Sequence, residues 1–210
     1  MTGMTGRFIA FEGGEAAGKS TQAERLVARI SAVHTREPGG TPAGTAIRAL
    51  FLDPSTGELD PRTEALLMAA DRAQHAATVI RPALDAGRHV VTDRYLYSSV
   101  AYQAHARGLD PAEVRDLSLW ATRGLEPDLV VFLDVPVATA RQRVHGVEPD
   151  RMESEQVSFH ERVREGFRAQ ADADPQRWAV VDATLDPDAV TDAVWDHVRD
   201  RLPELGKMGE

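Results

Sequence analysis

The chain has 210 residues, with 24 Lys+Arg against 33 Asp+Glu, a formal net charge of −9 and no cysteine. A composition 42% hydrophobic and 27% charged is that of a globular chain able to bury a substantial core, which excludes disordered and fibrous classes. The acid excess argues against a broad nucleic-acid or anionic-lipid surface, and the missing cysteines exclude disulfides, thiolate nucleophiles and iron–sulfur clusters.

No apolar run approaches the ~18 residues of a membrane span, and the first residues lack the charged-then-apolar layout of a signal peptide. The expectation is a cytoplasmic protein. In chain order, apolar and β-branched runs at 8–11, 33–35, 89–92, 129–133 and 178–181 predict strands. Stretches with apolar residues at three-to-four spacing, at 19–31, 60–86, 111–123, 155–172 and 186–201, predict helices. Asp60-Pro61, Asp110-Pro111 and Asp186-Pro187 each supply a capping side chain followed by proline in the first turn. Leu129-Val130-Val131-Phe132-Leu133 is apolar throughout, which suits a central parallel strand covered on both faces. Strand–helix alternation predicts an α/β fold, a right-handed parallel sheet of five strands flanked by helices. It is read as one domain over 1–210 with disordered ends at 1–6 and 204–210.

Directly after the first predicted strand, Gly13-Gly14-Glu15-Ala16-Ala17-Gly18-Lys19-Ser20 matches G-x-x-x-x-G-K-[ST] and opens the first helix. At this chain's own Gly, Lys and Ser+Thr frequencies, a chance match anywhere in it is roughly one in a thousand. Glycines let the backbone wrap with its N–H groups turned inward, the helix N-terminus adds its positive end, Lys19 reaches the β and γ phosphates, and the Ser20 hydroxyl meets Mg²⁺. No G-x-G-x-x-G, G-x-S-x-G or H-E-x-x-H is present. Lysine occurs only at Lys19 and Lys207, so a guanine-reading Asn-Lys-x-Asp is impossible. A kinase and an ATPase both remain open on these residues alone.

Further on stand Thr35-Arg36-Glu37-Pro38-Gly39-Gly40-Thr41, then Glu64-Ala65-Leu66-Leu67-Met68-Ala69-Ala70-Asp71-Arg72-Ala73-Gln74-His75, then Asp93-Arg94-Tyr95 followed by Ser98-Ser99-Val100-Ala101-Tyr102-Gln103. With the cradle, in this order and spacing, they resemble the bacterial thymidylate kinase family from about Phe8 to Val198. The resemblance implies a P-loop kinase fold that transfers the γ-phosphoryl of ATP to dTMP, with Mg²⁺, in a homodimer. It implies that Gly13–Thr21 and Asp182-Ala183-Thr184 bind ATP, the latter against adenine. Ser20 and Asp93 would lie at the metal, and Glu15 near the metal and the sugar 3′-hydroxyl. Arg94 would hold the accepting phosphate. Arg36, Pro38, Arg48, Met68, Arg72, Ser99, Tyr102 and Gln103 would surround dTMP, with Tyr102 leaving no room for a 2′-hydroxyl. A short lid over about 143–153 would bring Arg143 and Arg151 onto ATP, with Arg141 beside it.

The family pattern is broken in places. Met68 stands where a phenylalanine is common, Phe167 where a tyrosine is common, and the cradle has Ala16 where one branch of the family places an arginine. Residue by residue, blander readings stand beside the functional ones: a surface ion pair for Arg94 and Asp93, a helix-face salt bridge for Arg72, core packing for Tyr102, and helix-terminal cations for the lid arginines. Two other functions also fit, a kinase of another nucleoside monophosphate and a nucleotide-binding regulatory protein with weak turnover.

Overall fold

The computed structural model describes residues 6–143 and 149–206. Its five strands are β1 (Phe8–Glu12), β2 (Val33–Arg36), β3 (Val90–Asp93), β4 (Leu129–Asp134) and β5 (Trp178–Asp182). All pair in parallel, in the order β2-β3-β1-β4-β5. Each strand runs one residue beyond its apolar run and ends on a charge: Glu12, Arg36, Asp93, Asp134 and Asp182. The C-terminal edge of the sheet is therefore a row of ionisable side chains, and that edge is where ligands enter such sheets.

The apolar runs hide a two-residue alternation. Phe8 and Ala10 of β1 and Val130 and Phe132 of β4 face one core, whereas Ile9, Phe11, Leu129, Val131 and Leu133 face another. The second core is closed by α1 (Lys19–Ile30) and α9 (Pro187–Arg201) through Leu26, Ile30, Val190, Val194 and Val198. The first is closed by α3 (Pro61–His75), α5 (Leu96–Ser99) and α8 (Val157–Ala173) through Met68, Leu96, Phe159, Val163 and Phe167. Phe132 lies 5.4 Å from the Phe167 ring and 6.3 Å from Trp178, so truncating it to alanine would cost about 3–5 kcal/mol.

The predicted helix over 60–86 is continuous but not uniform. It runs α-helical over α3, widens to a π-helix over Ala76–Ile80, and resumes as α4 (Arg81–Asp85). The widened turn leads into Pro82, which brings no N–H and whose ring would crowd a regular preceding turn. Besides α6 (Pro111–Thr122), which was predicted, helices appear outside the predicted stretches: α2 (Pro42–Leu52), α7 (Val137–Arg143), and α5, which continues as a π-helix over Val100–Ala106.

The expected disordered ends are corrected in part. Gly6 is buried and its N–H donates to the Leu84 carbonyl at 3.1 Å. At the other end α10 (Pro203–Gly206) forms because Leu205 is fully buried in the second core and Glu204 pairs with Arg7. Residues 1–5 and 207–210, and positions 144–148 of the expected lid, lie outside the described residues.

Candidate active site

The loop between β1 and α1 is shaped by glycine. Gly13 takes φ 148°, and a Cβ there would sit 2.8 Å from the Leu133 carbonyl oxygen; Gly18, at φ 89°, begins α1 in the left-handed region. Lys19 is buried and donates from Nζ to the Gly14 carbonyl at 2.6 Å. Burial and the nearby Arg94 lower its pKa, with Asp93 and Glu15 pulling the other way. The Ser20 hydroxyl donates to Asp93 Oδ2 at 2.5 Å, which links the start of α1 to the end of β3. Glu15, Ala16, Ala17, Gly18, Lys19, Ser20 and Thr21 line one cavity with Arg36, Arg48, Asp93 and Arg94.

Arg94 holds φ 70°, a left-handed conformation costly for an arginine, immediately after β3. Its Nη1 donates to the Gly13 carbonyl at 2.9 Å and Ser98 Oγ at 3.1 Å. Its Nη2 donates to Glu15 Oε1 at 2.7 Å and to the Tyr102 hydroxyl at 3.1 Å. Tyr102 in turn donates to the same Glu15 oxygen at 2.8 Å. Burial pushes the Glu15 carboxyl up, but Arg94, Lys19 and the Tyr102 hydroxyl outweigh it and hold its pKa at about 2. Arg94 is thus no surface partner of Asp93. Tyr102 serves the core as well: its ring meets those of Phe159 and Phe167 edge-on at 6.1 and 6.3 Å.

Beneath Arg94 lies Glu12, which the sequence reading did not single out. It is fully buried, and its carboxyl accepts from Tyr95 N at 2.9 Å, Ser98 N at 3.2 Å and Ser98 Oγ at 2.6 Å. It therefore fixes the turn that carries Arg94. Burial raises its pKa to about 7 against those hydrogen bonds and the Arg94 charge.

A second pocket adjoins the cradle and shares Glu15, Glu37, Arg48 and Arg94 with it. Its remaining walls include Pro38, Phe51, Leu52, Met68, Arg72, Ser99, Tyr102, Gln103, Asp150 and Met152. Glu64, Met68 and Arg72 recur one turn apart on the buried face of α3. Arg72 does not pair along its own helix. Its Nε donates to Glu37 Oε2 at 2.8 Å, Nη1 to Ser118 Oγ at 3.0 Å, and Nη2 to Ser99 Oγ at 3.1 Å and the Tyr95 carbonyl at 3.3 Å. The other Glu37 oxygen meets His75 Nδ1 at 2.8 Å, and His75 Nε2 meets Thr35 Oγ1 at 2.6 Å.

The lid arginines part company. Arg143 donates to the Ala16 carbonyl at 3.3 Å and the Ala183 carbonyl at 2.6 Å, so it ties the cradle to the Asp182-Ala183-Thr184 loop. Asp182 Oδ1 closes that loop by accepting Thr184 N at 2.9 Å and Thr184 Oγ1 at 2.7 Å. Arg151, expected on the phosphates, lies elsewhere: Nη1 donates to Glu64 Oε1 at 2.8 Å and Nε to the Phe51 carbonyl at 2.7 Å. A buried carboxylate requires cations close by, and Glu64 draws Arg151 away from the cradle. Arg141 lines a third cavity of about 430 Å³, between Gly14–Ala16, the end of β4 and α8, which shares Glu15 and Ala16 with the cradle.

With this geometry in view, the likenesses to known proteins are consistent along the chain. The family model described as Thymidylate kinase matches residues 11–194. A protein named thymidylate kinase from Clavibacter michiganensis subsp. michiganensis is 50% identical over 198 residues, covering 91% of this chain and 93% of its own. One of the same name from Thermomicrobium roseum is 51% identical over 196 residues, covering 90% and 92%. Another, from Bifidobacterium longum (strain DJO10A), is 48% identical over 210 residues, covering 96% and 100%. The glycine-shaped cradle, the adjoining pocket joined to it at Arg94, and identity near one half over nearly the whole chain agree: this chain belongs to the thymidylate kinase family.

Proposed function

We propose the following division of labour among the chain's residues in the reaction of its family, transfer of the γ-phosphoryl of ATP to dTMP. The carrying observation is that the cradle and the second pocket share Glu15, Glu37, Arg48 and Arg94. A donor phosphate in one and an acceptor phosphate in the other meet at Arg94.

The inward N–H groups of Gly13–Ser20 and Lys19 hold the donor phosphates, while Asp182-Ala183-Thr184, braced by Arg143, lie against the adenine. Ser20 Oγ and Asp93 Oδ2, both hard oxygen ligands at the mouth of the cradle, suit Mg²⁺, which favours one or two protein oxygens alongside phosphates and water. When bound, the metal neutralises charge on the transferring phosphoryl. Arg94 and Arg48 grip the acceptor phosphate, with Arg36 at the rim. The Arg94 fork can turn part of its bonding from Glu15 to a phosphate without moving its backbone. No covalent enzyme intermediate is required, because the acceptor phosphate oxygen is itself the nucleophile and the protein aligns and neutralises.

Met68, Pro38, Phe51 and Met152 cover the base, Arg72 and Gln103 bond its edge beside Ser99, and Tyr102 with Glu15 closes on the sugar. Phe167 is fully buried behind Tyr102 and does not line the acceptor pocket. Leu66 on α3 is 58% exposed and Trp120 on α6 is 80% exposed, and the two helices pack together. This face is proposed as the homodimer contact. Among the described residues no helix is long and apolar enough to cross a membrane, and a cytoplasmic location is proposed. The test is ADP release from ATP and Mg²⁺ with and without dTMP. Release that is fast only with dTMP supports the reading, and release independent of any monophosphate makes the chain an ATPase.

A further inference from the structure

Glu64 stands in the first turn of α3, one turn before Met68, and is fully buried. Its Oε1 accepts from Arg151 Nη1 at 2.8 Å and Arg107 Nη2 at 3.0 Å. Its Oε2 accepts from Arg107 Nε at 3.1 Å and Gln103 Nε2 at 3.3 Å. Two guanidinium groups on one carboxylate make it an acceptor on both oxygens. A carboxamide beside it has one tolerable orientation, nitrogen toward Glu64, because the reverse sets oxygen against oxygen in a buried place. Gln103 also lines the acceptor pocket beside Met68 and Arg72. The end it offers to that pocket is therefore its carbonyl oxygen.

A carbonyl oxygen can accept a hydrogen bond and cannot give one. Thymine and uracil carry an N–H at ring position 3, whereas cytosine carries a bare acceptor nitrogen there. We propose that Glu64 is a specificity-determining positioning residue. By fixing the Gln103 amide with its oxygen toward the acceptor base, it admits pyrimidines with an N3–H and refuses cytosine. The proposal rests on the reading that places the base beside Gln103. Refusal arises because cytosine leaves two buried acceptors facing each other, and turning the amide only moves the conflict to Glu64. Arg107 and Arg151 then act on base choice, through Glu64, and not on the phosphates.

The test compares kcat/KM for dTMP and dCMP on the same preparations of wild type, Glu64→Gln and Gln103→Leu. An amide at position 64 can donate as well as accept, which frees Gln103 to turn. The dTMP-over-dCMP ratio is expected to fall at least tenfold in Glu64→Gln. A reduced folded fraction cannot mimic this, since both substrates meet the same molecules. Equal losses for the two substrates leave Glu64 a structural ion pair and overturn the proposal. Unchanged dTMP use by Gln103→Leu overturns the reading of the pocket itself. Lowered dTMP use there, with an unchanged ratio in Glu64→Gln, overturns only the role of Glu64. Should Glu64→Gln not fold, the Gln103 side-chain amide protons of the wild type decide, assigned by NMR through their loss in Gln103→Leu. Slow exchange with and without dTMP is expected, and free exchange in either state is the contrary result.

Discussion

The Arg94 guanidinium meets the Glu15 carboxylate at 2.7 Å, and the contact joins the residue after β3 to the middle of the phosphate cradle. Because Tyr102 donates to the same Glu15 oxygen, three groups from three segments settle at the seam between the two pockets. The Arg94 fork serves four partners from two nitrogens, which a single ammonium cannot do. Arg94→Lys is expected to lower kcat about a hundredfold or more, given what an arginine at a transferring phosphoryl contributes. Steady-state ADP formation measures this, and a kcat within threefold of wild type would remove Arg94 from the chemistry.

Lys19→Ala keeps the backbone of the cradle and removes only the charge that follows the γ-phosphoryl. The fold should survive, since among the described residues Lys19 bonds a single carbonyl, that of Gly14. We expect a circular dichroism spectrum like that of the wild type and at least a hundredfold loss of turnover, about 2.7 kcal/mol of barrier.

Arg143 and Arg151 should separate by substrate. Arg143→Ala unties Ala16 from Ala183, so KM for ATP should rise with KM for dTMP little changed. Arg151→Ala strips one cation from the fully buried Glu64 and loosens Asp150 and Met152 in the acceptor wall. It should raise KM for dTMP and cost about 1–3 kcal/mol of stability, below the full figure for a broken buried pair because Arg107 remains. Bisubstrate kinetics and thermal melts check both, and a matched rise in KM for ATP in both variants would contradict the assignment.

Glu12 makes stability depend on pH. Its folded-state pKa, about 7, lies above the ordinary carboxyl value because burial disfavours the charge. The folded protein therefore holds a proton that the unfolded chain releases. The contribution is fully present below about pH 4.5 and is lost as pH rises through about 7, on the order of 3 kcal/mol. Glu12→Gln should flatten this dependence, so that denaturant midpoints of wild type fall relative to the variant between pH 5 and pH 8. Parallel curves would show that Glu12 ionises in the folded protein as it does in the unfolded chain.

The strands and the cradle were legible because apolar runs and a spaced glycine motif are local signals. What the sequence hid is long-range. A glutamate in the first turn of a helix reads as a partner of the helix dipole, and nothing near Glu64 announces that Arg107 and Arg151, 43 and 87 residues on, will bury it. Glu37 likewise sits in a motif, yet its partners Arg72 and His75 become apparent only once β2 and α3 are packed. Helix α2 carries a clear start at Thr41-Pro42, but Gly44 and Thr45 weaken the helical pattern after it. The π-helix of Val100–Ala106 holds Tyr102 and Gln103 side by side in the pocket, an irregularity that no periodicity foretells.

The most direct measurement is relative kcat/KM for dTMP, dUMP and the ribo analogue of dTMP, with Tyr102→Ala alongside the wild type. Loss of the 5-methyl should cost only about 10–200-fold, as one methyl against a hydrophobic wall does, and the pliable Met68 can follow the smaller ring. A 2′-hydroxyl would have to displace Tyr102 or be buried beside it without a partner, so the ribo analogue should fare worse than dUMP, and Tyr102→Ala should narrow that gap. Use of the ribo analogue by the wild type as efficiently as dTMP would contradict the account.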